Sequence, residues 1–272
     1  MRYEIRTRKN GKMAIFDENG KRISGWYDSI YRYGLIEGQS KYYIAKKNKE
    51  VAIFDENGKM ITKEWYDDIE PDGLVSGESD YYIAEKNGKF AIFDVDGNQI
   101  SPDWFDEVYP YGLVEGKSNY YIAKKNGKYA VFDKNGRMVS PEWFNVIYLP
   151  GLIKGQSDCY IARKDNEEAI FDEYGNRISE WFYWIVTEGF IKGQSDYYIA
   201  CNEYTCAVYH KSGQKVSDDF PQGYIDLTKN ITFNDKLGIV EITEENGKIV
   251  KSIEFNPVIN KEILDYTKLL NI

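Results

Sequence analysis

The chain has 272 residues, 42% hydrophobic and 29% charged, with 24 Tyr, 13 Phe and 6 Trp. That usage excludes a wholly disordered chain, and no apolar run approaches the roughly 20 residues a membrane helix needs. A formal charge of -9 and a single histidine disfavour nucleic-acid binding through phosphate neutralisation, histidine metal sites and histidine triads.

Five segments align almost without gaps. Trp26, Trp65, Trp104, Trp143 and Trp181 mark them. Asp17, Asp55, Asp94, Asp133 and Asp172 keep the same phase, as do Ala14, Ala52, Ala91, Ala130, Ala169 and Ala207, and Gly34, Gly73, Gly112, Gly151 and Gly189. Tandem copies of a unit too small to bury a core alone predict a stacked repeat architecture.

The first unit opens at Tyr3 with a strand to Arg8. The clearest unit runs from Tyr120. Tyr120 to Lys125 is rich in strand formers, Asn126-Gly127 is the dipeptide of a type I′ hairpin turn, and Tyr129 to Asp133 is the return strand. This register sets Lys125 opposite Lys128, Ala123 opposite Ala130 and Tyr121 opposite Phe132. The Ala pair leaves a recess, expected to take a neighbouring element such as the next repeat's Trp. Lys134-Asn135-Gly136 makes a second turn, Arg137 to Ser140 a third short strand, and Val146 to Tyr148 and Leu152 to Gly155 further extended pieces. The Gly-Gln-Ser pieces (Gly38 to Ser40, Gly155 to Ser157, Gly193 to Ser195) are inter-unit turns.

Towards the end the pattern wears. The unit from Tyr197 loses its Trp after Ser217. Lys236 to Glu241 and Asn246 to Val250 form a degenerate copy, and Asn260 to Leu270 is expected to be a short capping helix. The fold expected is all-β: tandem units of about 39 residues, each of three to four short antiparallel strands, in an open, curved, solenoid-like array. A closed β-propeller is the alternative. Residues 1–220 form six repeats, and 221–272 the degenerate repeat and helix.

From Asn126 to Phe144 the sequence resembles the WG repeat family of bacterial proteins. Phe105-Asp106 matches its aromatic-Asp step and Gly112-Leu113 its close. The family's Trp-Gly step is Phe90-Ala91 or Tyr129-Ala130 here, and only Leu237-Gly238 keeps the glycine. The resemblance implies a bacterial repeat scaffold with no enzymatic activity. Ile92 to Gly97 also looks like the strand-Asp-turn-Gly step of a propeller blade.

Catalytic constellations break a repeat, so the candidates are residues that occur once. His210 reads as a structural or solvated turn residue. Asp94 to Asn98 faintly resembles a calcium loop but lacks the bidentate Glu, and Asp at such a turn caps backbone N–H groups. Trp104 and Asp106 carry a recurrent Trp-aromatic-Asp step that could line a ligand groove. Trp181, Phe182, Tyr183 and Trp184 form an aromatic cluster suited to an interface. An odd, small cysteine count without a signal sequence points to a reducing compartment and a cytoplasmic location. Cys201 and Cys206 fall opposite each other in the hairpin register, so a cross-strand disulfide is conceivable. The function expected is non-enzymatic binding of a protein partner of basic character, with inhibition through an acidic surface as a subtype. No cofactor and no membrane insertion are expected. The alternative is carbohydrate or cell-envelope binding by repeated aromatics.

Overall fold

The computed structural model describes residues 3–225 and 229–258. The described residues are all β apart from one 3-10 turn, Gln222–Tyr224. The chain divides into two compact units, Met1–Gly155 and Gln156–Ile272.

The first unit opens with a hairpin of β1 (Glu4–Thr7) and β2 (Met13–Phe16). One pattern then occurs three times: a two-residue strand pairs with the first arm of a hairpin of two six-residue strands. The copies are β3 (Ser29–Ile30), β4 (Tyr42–Lys47) and β5 (Glu50–Asp55); β6 (Asp68–Ile69), β7 (Tyr81–Lys86) and β8 (Lys89–Asp94); and β9 (Glu107–Val108), β10 (Tyr120–Lys125) and β11 (Lys128–Asp133). The short strand β12 (Val146–Ile147) follows. The second unit holds a hairpin of β13 (Cys159–Lys164) and β14 (Glu167–Asp172). A four-stranded sheet of β15 (Trp184–Ile185), β16 (Tyr197–Cys201), β17 (Thr205–His210) and β18 (Phe220–Pro221) comes next. A meander of β19 (Asn230–Asn234), β20 (Ile239–Thr243) and β21 (Ile249–Glu254) stands where the degenerate copy was expected. The helix expected over Asn260–Leu270 lies outside the described residues.

The hairpin register is the expected one: Lys125 pairs with Lys128, Ala123 with Ala130 and Tyr121 with Phe132. Asn126 and Gly127 have φ of 53° and 76°, as a type I′ turn requires. The Tyr121 and Phe132 rings stack at 5.4 Å, 14° from parallel.

Two extended pieces are corrected. Arg137 to Ser140 forms no strand; it holds a single bridge, Met138 to Phe132. The Asp133 carboxylate curls the chain there, its Oδ1 accepting the N–H groups of Asn135 and Arg137 at 2.9 and 3.0 Å. Asp94 does the same for Asp96 and Asn98 at 3.0 and 2.7 Å, which is the capping role expected of it. Leu152 to Gly155 is a turn. Its opening glycine and the equivalents Gly34, Gly73 and Gly112 have positive φ. A Cβ on Gly112 would also lie 2.2 Å from the Tyr120 carbonyl oxygen, so both conformation and space demand glycine.

The Ala recess takes a neighbouring element, as expected, but its occupants are isoleucines of the preceding sheet rather than the next repeat's Trp. In the first unit Ile83 and Ile92 share a core cluster with Tyr121, Ala123, Ala130 and Phe132. Ile44 and Ile53 likewise cluster with Tyr82, Ala84, Ala91 and Phe93. The isoleucine face of one sheet thus meets the Tyr-Ala-Ala-Phe face of the next, and the small Ala side chains leave room for the branched ones. Each Trp instead lies edge-on or tilted against the Phe of its own repeat. The pairs are Trp26–Phe16, Trp65–Phe54, Trp104–Phe93, Trp143–Phe132 and Trp181–Phe171, at 6.1, 5.9, 5.8, 6.0 and 6.0 Å.

Candidate functional site

Side chains alternate faces along a strand, so the position next to the Ala pair, one step nearer the turn, lies on the isoleucine face. Read across each sheet, these positions form a row. The rows are Ser29, Lys46, Val51 and Tyr66; Asp68, Glu85, Phe90 and Phe105; and Glu107, Lys124, Tyr129 and Phe144. In the second unit they are Arg163, Glu168 and Phe182, and Trp184, Cys201, Cys206 and Phe220. The last member is always aromatic. The others change chemical class from repeat to repeat, while the Tyr-Ile-Ala and Ala-Ile-Phe-Asp positions beside them hardly change.

The row starting at Asp68 is acidic. Asp68 and Glu85 face each other across β6 and β7. Glu70 follows on the same segment, and its carboxyl is pushed up by burial and then by Asp72 and Asp68. None of these four acids joins an ion pair among the described residues.

The row starting at Glu107 is aromatic with an internal ion pair. Lys124 Nζ lies 2.7 Å from Glu107 Oε1 and 5.5 Å from the Tyr129 ring centroid. The Tyr109 hydroxyl donates to Glu107 Oε2 at 2.6 Å. Lys124 and then Tyr109 hold the Glu107 carboxyl below its ordinary range. Burial, then Glu107 and the Tyr129 phenol, push the Tyr109 hydroxyl up, so it remains a donor. Beside this network a pocket of about 220 Å³ is lined by Tyr109, Tyr111, Ile122, Tyr129, Val146, Ile147 and Leu149. The Tyr109 ring lies 6.5 Å from Tyr111 and 6.1 Å from Tyr129.

The second unit uses its row internally. Arg163 Nη2 lies 2.5 Å from Oε1 of the fully buried Glu168, whose Oε2 accepts the Ile185 N–H at 2.8 Å. Cys201 and Cys206 face each other as the register predicts and are joined by a disulfide, with Cα atoms 3.9 Å apart. Both are buried in the same core cluster, against which Trp184 packs.

The residues singled out from the sequence do not form one site. Trp104 is half-buried between Phe93 and Tyr66, at 5.8 and 6.2 Å. Asp106 pairs with Lys89 and accepts the Asn126 N–H at 2.6 Å, so it braces the next hairpin turn. Asp28 and Asp67 do the same for Asn48 and Asn87. In the aromatic run, Trp181 packs on Phe171 and Phe182 is buried against Tyr209 at 5.0 Å. Tyr183 is 52% exposed, and Trp184 belongs to the core-packed row. Alternation scatters the four over different faces. Tyr109, Tyr111 and Tyr129 were not singled out. The signal that marks them is a break in the repeat, since the preceding unit has Glu70, Asp72 and Phe90 at those positions.

No family profile matches the chain, and no curated protein matches it. Among solved structures it is similar to BamB from Moraxella catarrhalis, at 13% identity over 91% of this chain and 81% of that one, with a TM-score of 0.32. It is also similar to Hsv2 from Kluyveromyces lactis, at 10% over 93% and 98%, with a TM-score of 0.32. A third is the Cps50 (Swd1) β-propeller domain from Myceliophteria thermophila, at 9% over 94% and 96%, with a TM-score of 0.30. No residue role is taken from these likenesses. Fold and rows together define an all-β tandem-repeat protein with a constant core and one variable row per sheet. Among the described residues, no helix is long and apolar enough to cross a membrane.

Proposed function

We propose that the protein is a non-enzymatic repeat scaffold that binds a protein partner across the variable rows of its first unit. One observation carries this reading: the repeats largely agree in core and caps and differ most in the chemistry of one row and of the loop positions beside it. Repeat arrays bind by varying a surface without disturbing the stack. The carboxylates that recur, Asp94 and Asp106 among them, are engaged in bracing turns, whereas Asp68, Glu70, Asp72 and Glu85 join no ion pair among the described residues. Together with the net charge of -9, this favours a basic partner, and an inhibitor that covers a basic groove is one form such a scaffold takes. On this reading the chain is a WG repeat protein in which Ala replaces the Gly of the Trp-Gly step. The half-buried, Phe-packed tryptophans do not favour the carbohydrate alternative, which needs a series of exposed rings.

The test is capture of partners from native lysate at two salt concentrations. Wild type, Glu85→Lys and an exposed turn variant, Lys134→Glu, are compared. One stoichiometric protein held by wild type and Lys134→Glu, and released by salt or by Glu85→Lys, is expected. Equal retention by all three chains would contradict the reading, as would capture of glycan in place of protein.

A further inference from the structure

The acidic row at Asp68 and the aromatic pocket beside Tyr129 lie in successive repeats of the first unit. The 39-residue period makes them equivalent places with opposite chemistry: Glu70, Asp72 and Phe90 in one, Tyr109, Tyr111 and Tyr129 in the next. We infer that the two sites together read one extended partner segment that carries Lys or Arg close to an aromatic or branched apolar anchor. This deepens the proposed protein-binding function by naming the partner's chemistry.

The pocket fixes the anchor. Its walls are three tyrosine rings and four aliphatic side chains, and its volume of about 220 Å³ has room for one large side chain. Tyrosine-walled, partly desolvated pockets of this size are where binding energy concentrates. The Tyr109 hydroxyl is already engaged with Glu107, and that of Tyr129 with Tyr109 and Lys124. The interior therefore asks for apolar surface rather than for a charged tip.

The neighbouring acidic row fixes the charge. Like charges directly opposite on paired strands destabilise a sheet, yet Asp68 and Glu85 are placed so. Glu70 and Asp72 add two more acids on the same segment. Other acids of this unit, among them Glu64, Asp103 and Asp106, are tied to Lys86, Lys125 and Lys89. A Lys or Arg from a partner supplies the missing countercharge, and burying it there gives both affinity and orientation. A phosphorylated or acidic segment would meet repulsion at the same place.

The experiment selects a phage-displayed library of random twelve-residue peptides on the full-length chain. The expected consensus has Lys or Arg within a few residues of Trp, Tyr, Phe or Leu. A synthetic peptide of that consensus should bind at least about tenfold more weakly to Tyr111→Ala, and to the Glu70→Gln/Asp72→Asn pair, than to wild type. Lys134→Ala should bind it as wild type does. Tyr111 and Asp72 sit in a loop, and thermal melts of each variant confirm that the fold is kept. An acidic or charge-free consensus, no enrichment, or unchanged binding to both variants overturns the inference. If the peptides lose binding only with changes in other rows, the inference fails while the protein-binding function stands.

Discussion

The hairpins β10–β11 and β16–β17 share one register and differ most at one row. Tyr121 stacks on Phe132 and Ala123 pairs with Ala130 in the first. Tyr198 stacks on Tyr209 at 5.5 Å and Ala200 pairs with Ala207 in the second. At the next step the first carries Lys124 and Tyr129 beside an open pocket, and the second carries a buried disulfide. The face that stacks against a neighbour is held constant, because a change of one methylene there is felt by two sheets. The row varies at its inner members, so one copy sets it beside an open pocket and another closes it with a covalent bond.

The largest effect should come from breaking the constant face. Tyr121→Ala removes a fully buried ring and should cost about 3–5 kcal/mol in denaturant unfolding. Tyr129→Ala, at a half-exposed position of the same hairpin, should cost about 1 kcal/mol while removing partner binding. Equal costs would erase the distinction between face and row.

The second unit sharpens it. The disulfide closes a short loop, with a sequence separation of 5, and its reduction should lower stability by about 2 kcal/mol. Cys159 is buried and its thiol pushed up to about 11 by that burial. Thiol titration should therefore find no reactive group in the native protein, one after unfolding, and three after unfolding with reductant.

A smaller effect is expected at the turn of β4–β5. Lys49 has φ of 77°, where Gly88 and Gly127 stand in the later hairpins. Lys49→Gly should raise stability by about 0.5–1 kcal/mol, read as a higher midpoint.

The smallest effect concerns the braced turns in acid. Lys12 and the Asn48 N–H lower the Asp28 carboxyl, Lys125 and the Trp104 N–H lower that of Asp103, and Lys89 and the Asn126 N–H lower that of Asp106. Groups lowered on folding contribute stability above their unfolded values and lose it as pH falls through the folded ones. Glu70 is raised, so its protonation relieves a cost as pH falls. Melting temperature should therefore decline below the ordinary carboxylate range, and Glu70→Gln should raise it at neutral pH.

The hairpins were legible because Asn-Gly turns fix the register and the alternation of Tyr121, Ala123 and Phe132 then follows. The turn at Leu152 to Gly155 was not, because its apolar residues read as strand while the backbone contact that demands Gly112 and its equivalents is tertiary. Trp104 and Trp181 looked like binding residues because Trp is prominent in sequence, but their period places them against Phe93 and Phe171. The pocket was illegible because Tyr109 and Tyr111, Tyr129, and Leu149 come from three segments that only the fold brings together. Comparing the copies for where they disagree would have pointed to it.

The most direct test of the central claim is photo-crosslinking with benzoylphenylalanine at single positions in the full-length chain, in native lysate. Phe90 and Tyr129 lie in the variable rows, and Lys134 and Asn57 lie in exposed turns. The account predicts that one and the same polypeptide crosslinks at Phe90 and Tyr129 and not at Lys134 or Asn57. Crosslinking of that polypeptide at the turns and not at the rows would contradict it.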